Sequence, residues 1–317
     1  MNEYKPEGML LHTPENREAL SSLPALERAW ERGQILEGIA VLCDADFSLQ
    51  VDLGNGLRGV IPREQAQHSP SGEETKDIAI LTRVGKPVCF QVYGFRKDAY
   101  GSTVPILSRR AAQLKCAECY IRSLAPGDIV PAKVTHLESF GAFMDIGCGI
   151  VSLLSIDCIS ISRISHPKER FSVGDTVNTV IKSVDKDGRI YVSRRELLGT
   201  WEENAALFAP GQTVAGIVRS VESYGIFVEL TPNLAGLAEW KPGIAPEETA
   251  AVFIKSILPE KMKIKLVIID SHAAHLPRRP TPFAIDRPGG HMDEWRYSPE
   301  GCAKVIESKF QTTSCIS

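Results

Sequence analysis

The sequence predicts a mainly β protein built as an array of small curled barrels. Two stretches, beginning at Gly127 and Gly211, repeat one pattern at a constant offset of 84 positions. In each copy, apolar residues alternate with polar or aromatic residues over two short runs, which is typical of two strands joined by a turn. A glycine interrupts each copy where a small barrel has to bend. The repetition indicates that the fold is a tandem array.

The N-terminal part of the chain is predicted to be a helical arm over 1–32. Leu20, Leu23, Leu26 and Trp30 have helical spacing, with an interruption at Pro24. A weaker copy of the repeat follows over 33–114, with a hairpin turn at 54–56 and a polar loop at 67–75.

This first repeat lacks part of the pattern. After a one-residue slip, Phe47 lies over Phe140, but Gln50 stands where the later repeat has Phe143. A helix is predicted around Cys116 and Cys119, which form the one C-x-x-C pair of the chain. Without a second pair or histidines at ligand spacing, this pair indicates a shared helix face and no zinc site.

The second repeat is predicted over 126–197. Its inward-facing residues are expected to be Val130, Ala132, Val134, Ala142, Met144 and Ile146. The sequence DKDG at 185–188 predicts a tight hairpin, because Asp-Gly accepts positive φ angles. A connecting helix is expected over 196–208.

The third repeat is predicted over 211–270. From Met262 onward, alternate residues are expected to face the core, with Lys261, Lys263 and Lys265 facing solvent. Residues 271–317 are rich in proline, glycine and charge and are expected to form an irregular tail without its own core. A short helix is predicted at 300–310, docking Val305, Ile306 and Phe310.

Two pairs of aromatic residues recur at equivalent positions. They are Phe140 and Phe143 in the second repeat, and Tyr224 and Phe227 in the third. The parity of Phe143 and Phe227 is opposite to the apolar set, and all four rings are expected on the outer face of the sheet, where aromatic rings stack on unpaired bases for about 1–3 kcal/mol each. A single such ring is more often core, but recurrence in the same parity favours the outer face.

Composition limits the classes of function. The 317 residues carry a net charge of −3 and have a pI near 6.2, which argues against a purely electrostatic nucleic-acid binder. The second repeat is neutral, with nine Lys/Arg and nine Asp/Glu. The eight cysteines are irregularly spaced, and neither a membrane-spanning run nor a leader is evident, so a cytoplasmic protein is expected.

No pattern predicts catalysis, a cofactor or a metal. The tail histidines His272, His275 and His291 do not match a ligand spacing, and carboxylate pairs such as Asp44 and Asp46 lie at turns. One basic insertion contains Arg163, His166, Lys168 and Arg170, which form either a phosphate-contacting strip or a solvated loop. The two interpretations of this insertion have equal support from the residues.

These residues also carry a family resemblance. Gly127, Phe140-Gly141-x-Phe143, Gly149, Gly174-Asp175, Val184-Asp185 and Arg189-Ile190-x-Val192-Ser193 resemble the S-one (S1) RNA-binding domain. The resemblance implies three tandem five-stranded OB-fold barrels with connecting helices. The tandem array, without a catalytic domain, resembles the family of bacterial small-subunit ribosomal protein S1 in the short three-repeat form of clostridia.

The resemblance implies a non-enzymatic protein that binds single-stranded RNA. It would hold unstructured mRNA near the small ribosomal subunit, with the first repeat contacting ribosomal proteins. Two alternatives remain open: a protein-interaction scaffold of barrels, and an accessory RNA-binding factor in RNA turnover or transcription.

Carried over by position, the RNA face would include Phe140, Phe143, Asp185 and Arg189 in the second repeat, and Tyr224, Phe227 and Lys263 in the third. The family often has a histidine after the central Gly-x-Val. That place is assigned here to Ser152 and Glu239.

Overall fold

A computed structural model of the chain describes residues 4–69, 75–273 and 289–310. The chain divides into two compact units. Met1–Leu124 together with Asp145–Val151 form the first, and Ala125–Met144 together with Ser152–Ser317 form the second.

The first barrel lies in the first unit. Its strands are β1 (Leu36–Cys43), β2 (Leu49–Gly54), β3 (Leu57–Ile61), β4 (Pro87–Lys97) and β5 (Thr103–Ser108). They close in the order β1-β2-β3-β5-β4, with β3 and β5 parallel. Alternation along β2 buries Leu49, Val51 and Leu53 in the barrel core, because successive side chains of a strand point to opposite faces. The predicted turn at 54–56 joins β2 to β3.

Helices flank this barrel. They are α1 (Pro14–Ala19), α2 (Leu23–Glu31), α3 (Asp77–Leu81) and α4 (Arg109–Cys119), with short 3-10 helices at Arg63–Gln65 and Ile121–Ser123. The predicted N-terminal arm is thus two helices. Pro24 starts the second helix and does not break it, because the first turn needs no N–H from this position, and the Ser22 side chain accepts the N–H of Ala25 at 3.4 Å. Helix α3 was not predicted.

Glu37 on β1 is fully buried in the first unit. Its carboxyl group accepts hydrogen bonds from the N–H groups of Gly8 at 3.0 Å and Leu10 at 2.9 Å. Burial raises the pKa of Glu37 to about 7, although the two backbone hydrogen bonds act in the opposite direction. This carboxyl group therefore changes charge near neutral pH.

The second barrel consists of β6 (Ile129–Glu138), β7 (Gly141–Asp145), β8 (Val151–Ser155), β9 (Thr176–Val184) and β10 (Ile190–Ser193). They close in the order β10-β8-β7-β6-β9, with β8 and β10 parallel. Short 3-10 helices lie at Ile156–Cys158, Pro167–Glu169 and Arg195–Leu197. All six residues predicted to face inward are buried, which confirms the strand parity of this repeat. The predicted hairpin joins β9 to β10.

The third barrel consists of β11 (Thr213–Glu222), β12 (Gly225–Thr231), β13 (Leu234–Ala238), β14 (Thr249–Leu258) and β15 (Lys263–His272), with a 3-10 helix at Pro259–Lys261. They close in the order β11-β12-β13-β15-β14. On β15, Ile264, Leu266 and Ile268 are buried while Lys263 and Lys265 are exposed, as the alternation predicted. The three closed barrels confirm the predicted mainly β fold class.

The connection between the second and third barrels contains less helix than predicted. Instead of one helix over 196–208, the chain forms the 3-10 turn at Arg195–Leu197, passes through Gly199 with a φ of 80°, and then forms α5 (Trp201–Ala205). The left-handed glycine ends the first turn. Thr200 and Glu203 then start α5 with a reciprocal capping box.

Asn233, at the turn between β12 and β13, joins this connection to the third barrel. It is fully buried, and its Nδ2 donates to the carbonyls of Arg195 and Gly199, both at 2.9 Å. Its Oδ1 accepts the N–H of Ile161 from the insertion of the second repeat at 3.0 Å. The second and third barrels of this unit are therefore joined by directional hydrogen bonds.

Residues 289–310 are more ordered than the tail predicted for this region. They contain the antiparallel pair β16 (Glu294–Arg296) and β17 (Glu307–Lys309), so the helix expected at 300–310 was wrong. Trp295 and Tyr297 are buried in the core of the third barrel. The tail prediction failed because these strands are too short for a sequence period to show.

The same segment also contacts the second barrel. The N–H of Ile129 donates to the carbonyl of Gly290 at 2.8 Å, and the N–H of Met292 donates to the carbonyl of Gly127 at 2.9 Å. Phe310 packs with Ile129 in a buried apolar cluster. Residues 289–310 therefore bind to both barrels of the second unit.

Within the described residues, no helix is both long and apolar enough to cross a membrane.

Candidate nucleic-acid interface

The four predicted aromatic residues form two matching pairs on the second and third barrels. The ring centroids of Phe140 and Phe143 are 6.0 Å apart at an interplanar angle of 89°. Those of Tyr224 and Phe227 are 6.2 Å apart at 84°. Phe140 is 53% exposed and Tyr224 68%, while Phe143 and Phe227 are half-buried on the outer face. The same edge-to-face geometry thus occurs twice.

Glycines position each pair. A Cβ on Gly141 would lie 2.4 Å from the carbonyl oxygen of Leu154, and one on Gly225 would lie 2.6 Å from that of Ala238. A side chain at either site would push the neighbouring strand away. The glycine beside each pair therefore lets two strands approach closely under the aromatic rings.

Strand register places further side chains in line with the half-buried ring of each barrel. In the third barrel, Phe227 lies opposite Leu237, which lies opposite Lys265. In the second barrel, Leu153 lies opposite Tyr191 on the same outer face. Leu237 and Leu153 extend the apolar surface beyond the rings.

The first barrel has the same row without an aromatic residue. Gln50 lies opposite Val60, which lies opposite Ile106. By register, Gln50 stands where the third barrel has Phe227. Phe47 lies in a turn with a φ of 59° and packs on the core, with the Arg63 guanidinium 4.9 Å from its ring centre. The first barrel therefore lacks the exposed pair.

The sequence reasoning missed His136, which adds a ring to the surface of the second barrel. Its imidazole stacks on Phe143 with centroids 6.2 Å apart and an interplanar angle of 26°. Its Nε2 lies 2.7 Å from Glu138 Oε1, and its side chain is 62% exposed. Its position on the strand preceding the aromatic pair is the signal that could have found it.

Asp185 organises a turn. Its Oδ1 accepts the N–H groups of Asp187 at 2.9 Å and Arg189 at 2.8 Å, and its Oδ2 accepts the hydroxyl of Tyr191 at 3.3 Å. The carboxylate therefore holds Tyr191 and the hairpin in place. A direct contact of Asp185 with RNA stays a prediction.

The two basic residues assigned to the RNA face by resemblance, Arg189 and Lys263, are exposed to solvent. Arg189 is 71% exposed and lies 3.7 Å from Asp187 in a weak surface ion pair. Lys263 is exposed at the start of β15. Arg189 and Lys263 occupy equivalent positions. Arg189 lies two residues before Tyr191, which pairs with Leu153, and Lys263 lies two residues before Lys265, which pairs with Leu237.

The basic insertion divides into two kinds of residue. Arg163 and Lys168 are exposed, whereas the Nδ1 of His166 accepts the N–H of Lys168 and caps a 3-10 helix. The Arg170 side chain is 10% exposed, and its guanidinium lies 2.6 Å from Glu229 Oε2. Arg170 therefore pairs with a carboxylate of the third barrel and is not available to a phosphate, unlike in the phosphate-contacting interpretation of this insertion.

Arg170 belongs to a network of four charged residues. Arg219 donates to Glu229 at 2.6 Å and also bonds Glu169. Burial alone would raise the pKa of Glu169, but hydrogen bonds from Ser165 and the Arg219 guanidinium lower it overall. The insertion is therefore a structural connector between the second and third repeats.

The assignment of Ser152 to the position of the family histidine was wrong. Ser152 is buried and donates to the carbonyl of Met144 at 3.2 Å. Leu153 and Leu237 take equivalent places beside β10 and β15, so the counterpart of Glu239 is Ser155. The Ser155 hydroxyl donates to Asp157 at 2.7 Å and lowers the pKa of that carboxyl group. Glu239 is exposed at the end of β13.

No group of His, Cys, Asp and Glu within the described ranges is arranged to hold a metal ion. Cys116 and Cys119 lie on α4 as predicted, the first buried and the second exposed. His275 lies outside the described residues.

Comparison with known proteins agrees with this geometry. The family model described as "S1 RNA binding domain" matches residues 123–195. The small ribosomal subunit protein bS1 of Staphylococcus saprophyticus is 39% identical over 138 residues, covering 42% of this chain and 35% of that protein. The bS1 homolog of Bacillus subtilis is 36% identical over 218 residues, covering 67% of this chain and 54% of that protein.

A multidomain protein with nucleic acid binding domains from Streptococcus pneumoniae is similar in structure, with a TM-score of 0.25 and 17% identity over 75% of this chain and 74% of that one. The chain spans about half or less of the length of the curated relatives it matches. By its S1 domain and these relatives, the chain belongs to the bacterial ribosomal protein S1 family.

Proposed function

We propose that this protein binds single-stranded RNA through the second and third barrels and acts in translation by holding unstructured mRNA near the small ribosomal subunit. One observation carries the proposal. The exposed edge-to-face aromatic pair occurs with the same geometry on both barrels. The bS1 relatives, named as small ribosomal subunit proteins, support the setting in translation.

The mechanism follows from stacking and linkage. Bases would stack on Phe140, Phe143, Tyr224 and Phe227, with Arg189 and Lys263 contacting phosphates at the edge. Asp185 would set the position of the hairpin that carries Arg189. Because two barrels are joined in one unit, binding at one raises the effective concentration of RNA at the other. No catalytic step is part of this mechanism.

Substitution of the aromatic rings tests the proposal. In the full chain, Phe143→Ala and Phe227→Ala should each weaken binding of a labelled oligouridylate by about 1–3 kcal/mol, measured by fluorescence anisotropy. Tyr100→Ala is the matched control, because Tyr100 is 94% exposed on a turn of the first barrel. Circular dichroism should show an unchanged fold. Equal loss in the control, or unfolding of the Phe143 variant, would contradict the proposal.

Salt dependence distinguishes stacking from electrostatics. The second repeat is neutral, so few phosphates should be neutralised, and log affinity against log salt should be shallow at about −0.7 per phosphate contact. Arg189→Ala or Lys263→Ala should each reduce the slope by less than one contact and weaken all sequences alike. A slope that requires about six or more contacts would refute a stacking-led mechanism.

The first barrel is proposed to contact proteins of the small subunit. It exposes apolar side chains on β1, on α3 and on the turn between α3 and β4, namely Val41, Leu42, Ile78, Leu81 and Val84. A hydrogen bond of 2.7 Å from the N–H of Gly85 to the carbonyl of Ala40 joins these segments. Exposed apolar clusters of this kind mark protein-binding surfaces. This surface also favours the second candidate function, a protein-interaction scaffold.

Co-sedimentation with small subunits tests this role. After RNase treatment, the unmodified chain should still sediment with ribosomal proteins, and Ile78→Asp should abolish that association because the exposed side chain lies in the proposed contact. Tyr100→Ala should sediment like the unmodified chain. Complete release by RNase would show that RNA alone mediates the association. Ribosome binding without any RNA affinity would favour the scaffold.

A further inference from the structure

The third barrel exposes apolar side chains beyond its aromatic pair. Trp240 is 56% exposed, Ile269 56% and Val267 40%. Strand β15, at ten residues, extends well past the outer row at Lys265, whereas β10 of the second barrel has four residues. The buried Ser193 stands where the third barrel has the exposed Val267. This surface therefore has no counterpart in the second barrel.

Register places Trp240 beside the aromatic pair. Ile226 lies opposite Ala238, so Tyr224 and Trp240, each two residues further out, lie at the same end of β12 and β13. The Lys241 Nζ donates to the carbonyls of Ile268 at 3.5 Å and Ile269 at 3.3 Å, which holds the segment after Trp240 against β15.

The second barrel has a different residue at the position equivalent to Trp240. Its counterpart of Trp240 is Ile156, whose N–H donates to the carbonyl of Phe140 at 2.9 Å. The indole is therefore an addition at a position where the second barrel has an aliphatic residue.

Charge favours RNA as the occupant of this surface. Lys263 and Lys265 are exposed along β15 on the same side as the rings. The exposed carboxylates at this end are Glu222 and Glu239. An exposed indole at the same end of the barrel as two stacking rings, with lysines along the neighbouring strand, fits the stacking-plus-cation pattern of single-strand binding.

We infer that Trp240 is a third stacking residue of the third barrel, and that this barrel binds a base at a place where the second barrel has no ring, on a surface of Tyr224, Phe227 and Trp240. The inference rests on the proposed RNA-binding function and adds a specific base contact to it. Val267 and Ile269 continue this surface and would pack against the face of the same nucleotide.

Tryptophan fluorescence reads the contact directly. The chain has four tryptophans, of which Trp201 and Trp295 are 2% and 7% exposed. In a Trp30→Phe background, Trp240 is the one accessible indole of the described residues. Saturating oligouridylate should quench part of the emission and shield it from iodide. The Trp30→Phe/Trp240→Phe double variant should show no such change.

Affinity provides the second readout. In anisotropy titrations of the full chain, Trp240→Ala should weaken oligouridylate binding about 5- to 150-fold, the range expected for one stacked base. Trp240→Phe, which keeps a ring, should restore most of the affinity. Trp30→Ala is the matched control, because this tryptophan is 46% exposed and packs on Phe95 in the first unit.

The outcomes separate this inference from the proposed function. If the chain binds RNA but Trp240→Ala has no effect and the emission is unchanged, the inference is wrong and the function stands. If the unmodified chain binds no RNA, both are wrong. The emission of Trp201 and Trp295 shows whether each variant is folded.

Discussion

Glu229→Gln should destabilise the second unit by about 3 kcal/mol. Glu229 Oε2 accepts two hydrogen bonds of 2.6 Å, from Arg170 and Arg219, and all three side chains are at least 90% buried. Removing one partner of a buried ion pair costs about 3–5 kcal/mol because the remaining charge loses its compensation. The amide oxygen of glutamine still accepts one hydrogen bond, so the expected loss lies at the lower end of this range.

Asp187→Asn is the matched control. It removes a carboxylate from an ion pair with Arg189 whose side chains are 72% and 71% exposed and 3.7 Å apart. Exposed pairs contribute about 0–1 kcal/mol. Urea denaturation of the full chain, followed by the emission of the buried Trp201 and Trp295 in the third barrel, measures both variants. If Glu229→Gln costs no more than Asp187→Asn, the buried network does not stabilise this unit.

Three further outcomes are expected. Burial raises the pKa of Glu37 from 4.5 to about 7, so its contribution to the free energy of unfolding is full below about pH 4.5 and is lost as pH rises through 7. Glu37→Gln should therefore reduce the change in the free energy of unfolding of the first unit across that pH range by about 3 kcal/mol. Gly141→Ala should destabilise by about 1–3 kcal/mol in thermal unfolding, since its Cβ would meet a carbonyl oxygen at 2.4 Å, whereas Gly94→Ala, which faces open space, should be nearly neutral. The hydrogen bond to Asp128 raises the pKa of His291, so its stabilising effect should be lost as pH rises above about 6.5. Asp128→Asn should lower that pKa in an NMR titration, and an unchanged value would contradict the assignment.

Strand parity explains why much of the fold and site could be predicted. Val134 and Met144 face inward, and Phe143 faces outward, because adjacent side chains of a strand alternate between faces. Repetition then reinforced each assignment, since Phe227 stands on the third barrel as Phe143 does on the second. Local turn chemistry accounts equally well for the hairpin that Asp185 closes.

Contacts distant in sequence could not be predicted. Arg170 was expected in a phosphate-contacting strip or a solvated loop, but its partner Glu229 is 59 residues away in another repeat. Trp295 lies in a strand of three residues, too short for any period to reveal. Ser152 was assigned to the histidine position because the Gly-x-Val motif was aligned on its glycine. The pairing of β8 with the parallel strand β10 shows which residues are equivalent.

The segment at 289–310 has a consequence for how the protein is made. Ile129 leaves the ribosome long before Phe310, with which it shares a buried cluster. At about 5–20 residues per second, the roughly 180 residues between them take about 9–36 s to synthesise. During that interval the N–H of Ile129 and the carbonyl of Gly127 lack their partners in residues 289–292, and a nascent chain arrested before residue 289 would keep them so. Co-translational folding of the second unit therefore finishes from its C-terminal side, and protease sensitivity at Gly127–Ile129 should persist until the last strand pair has emerged.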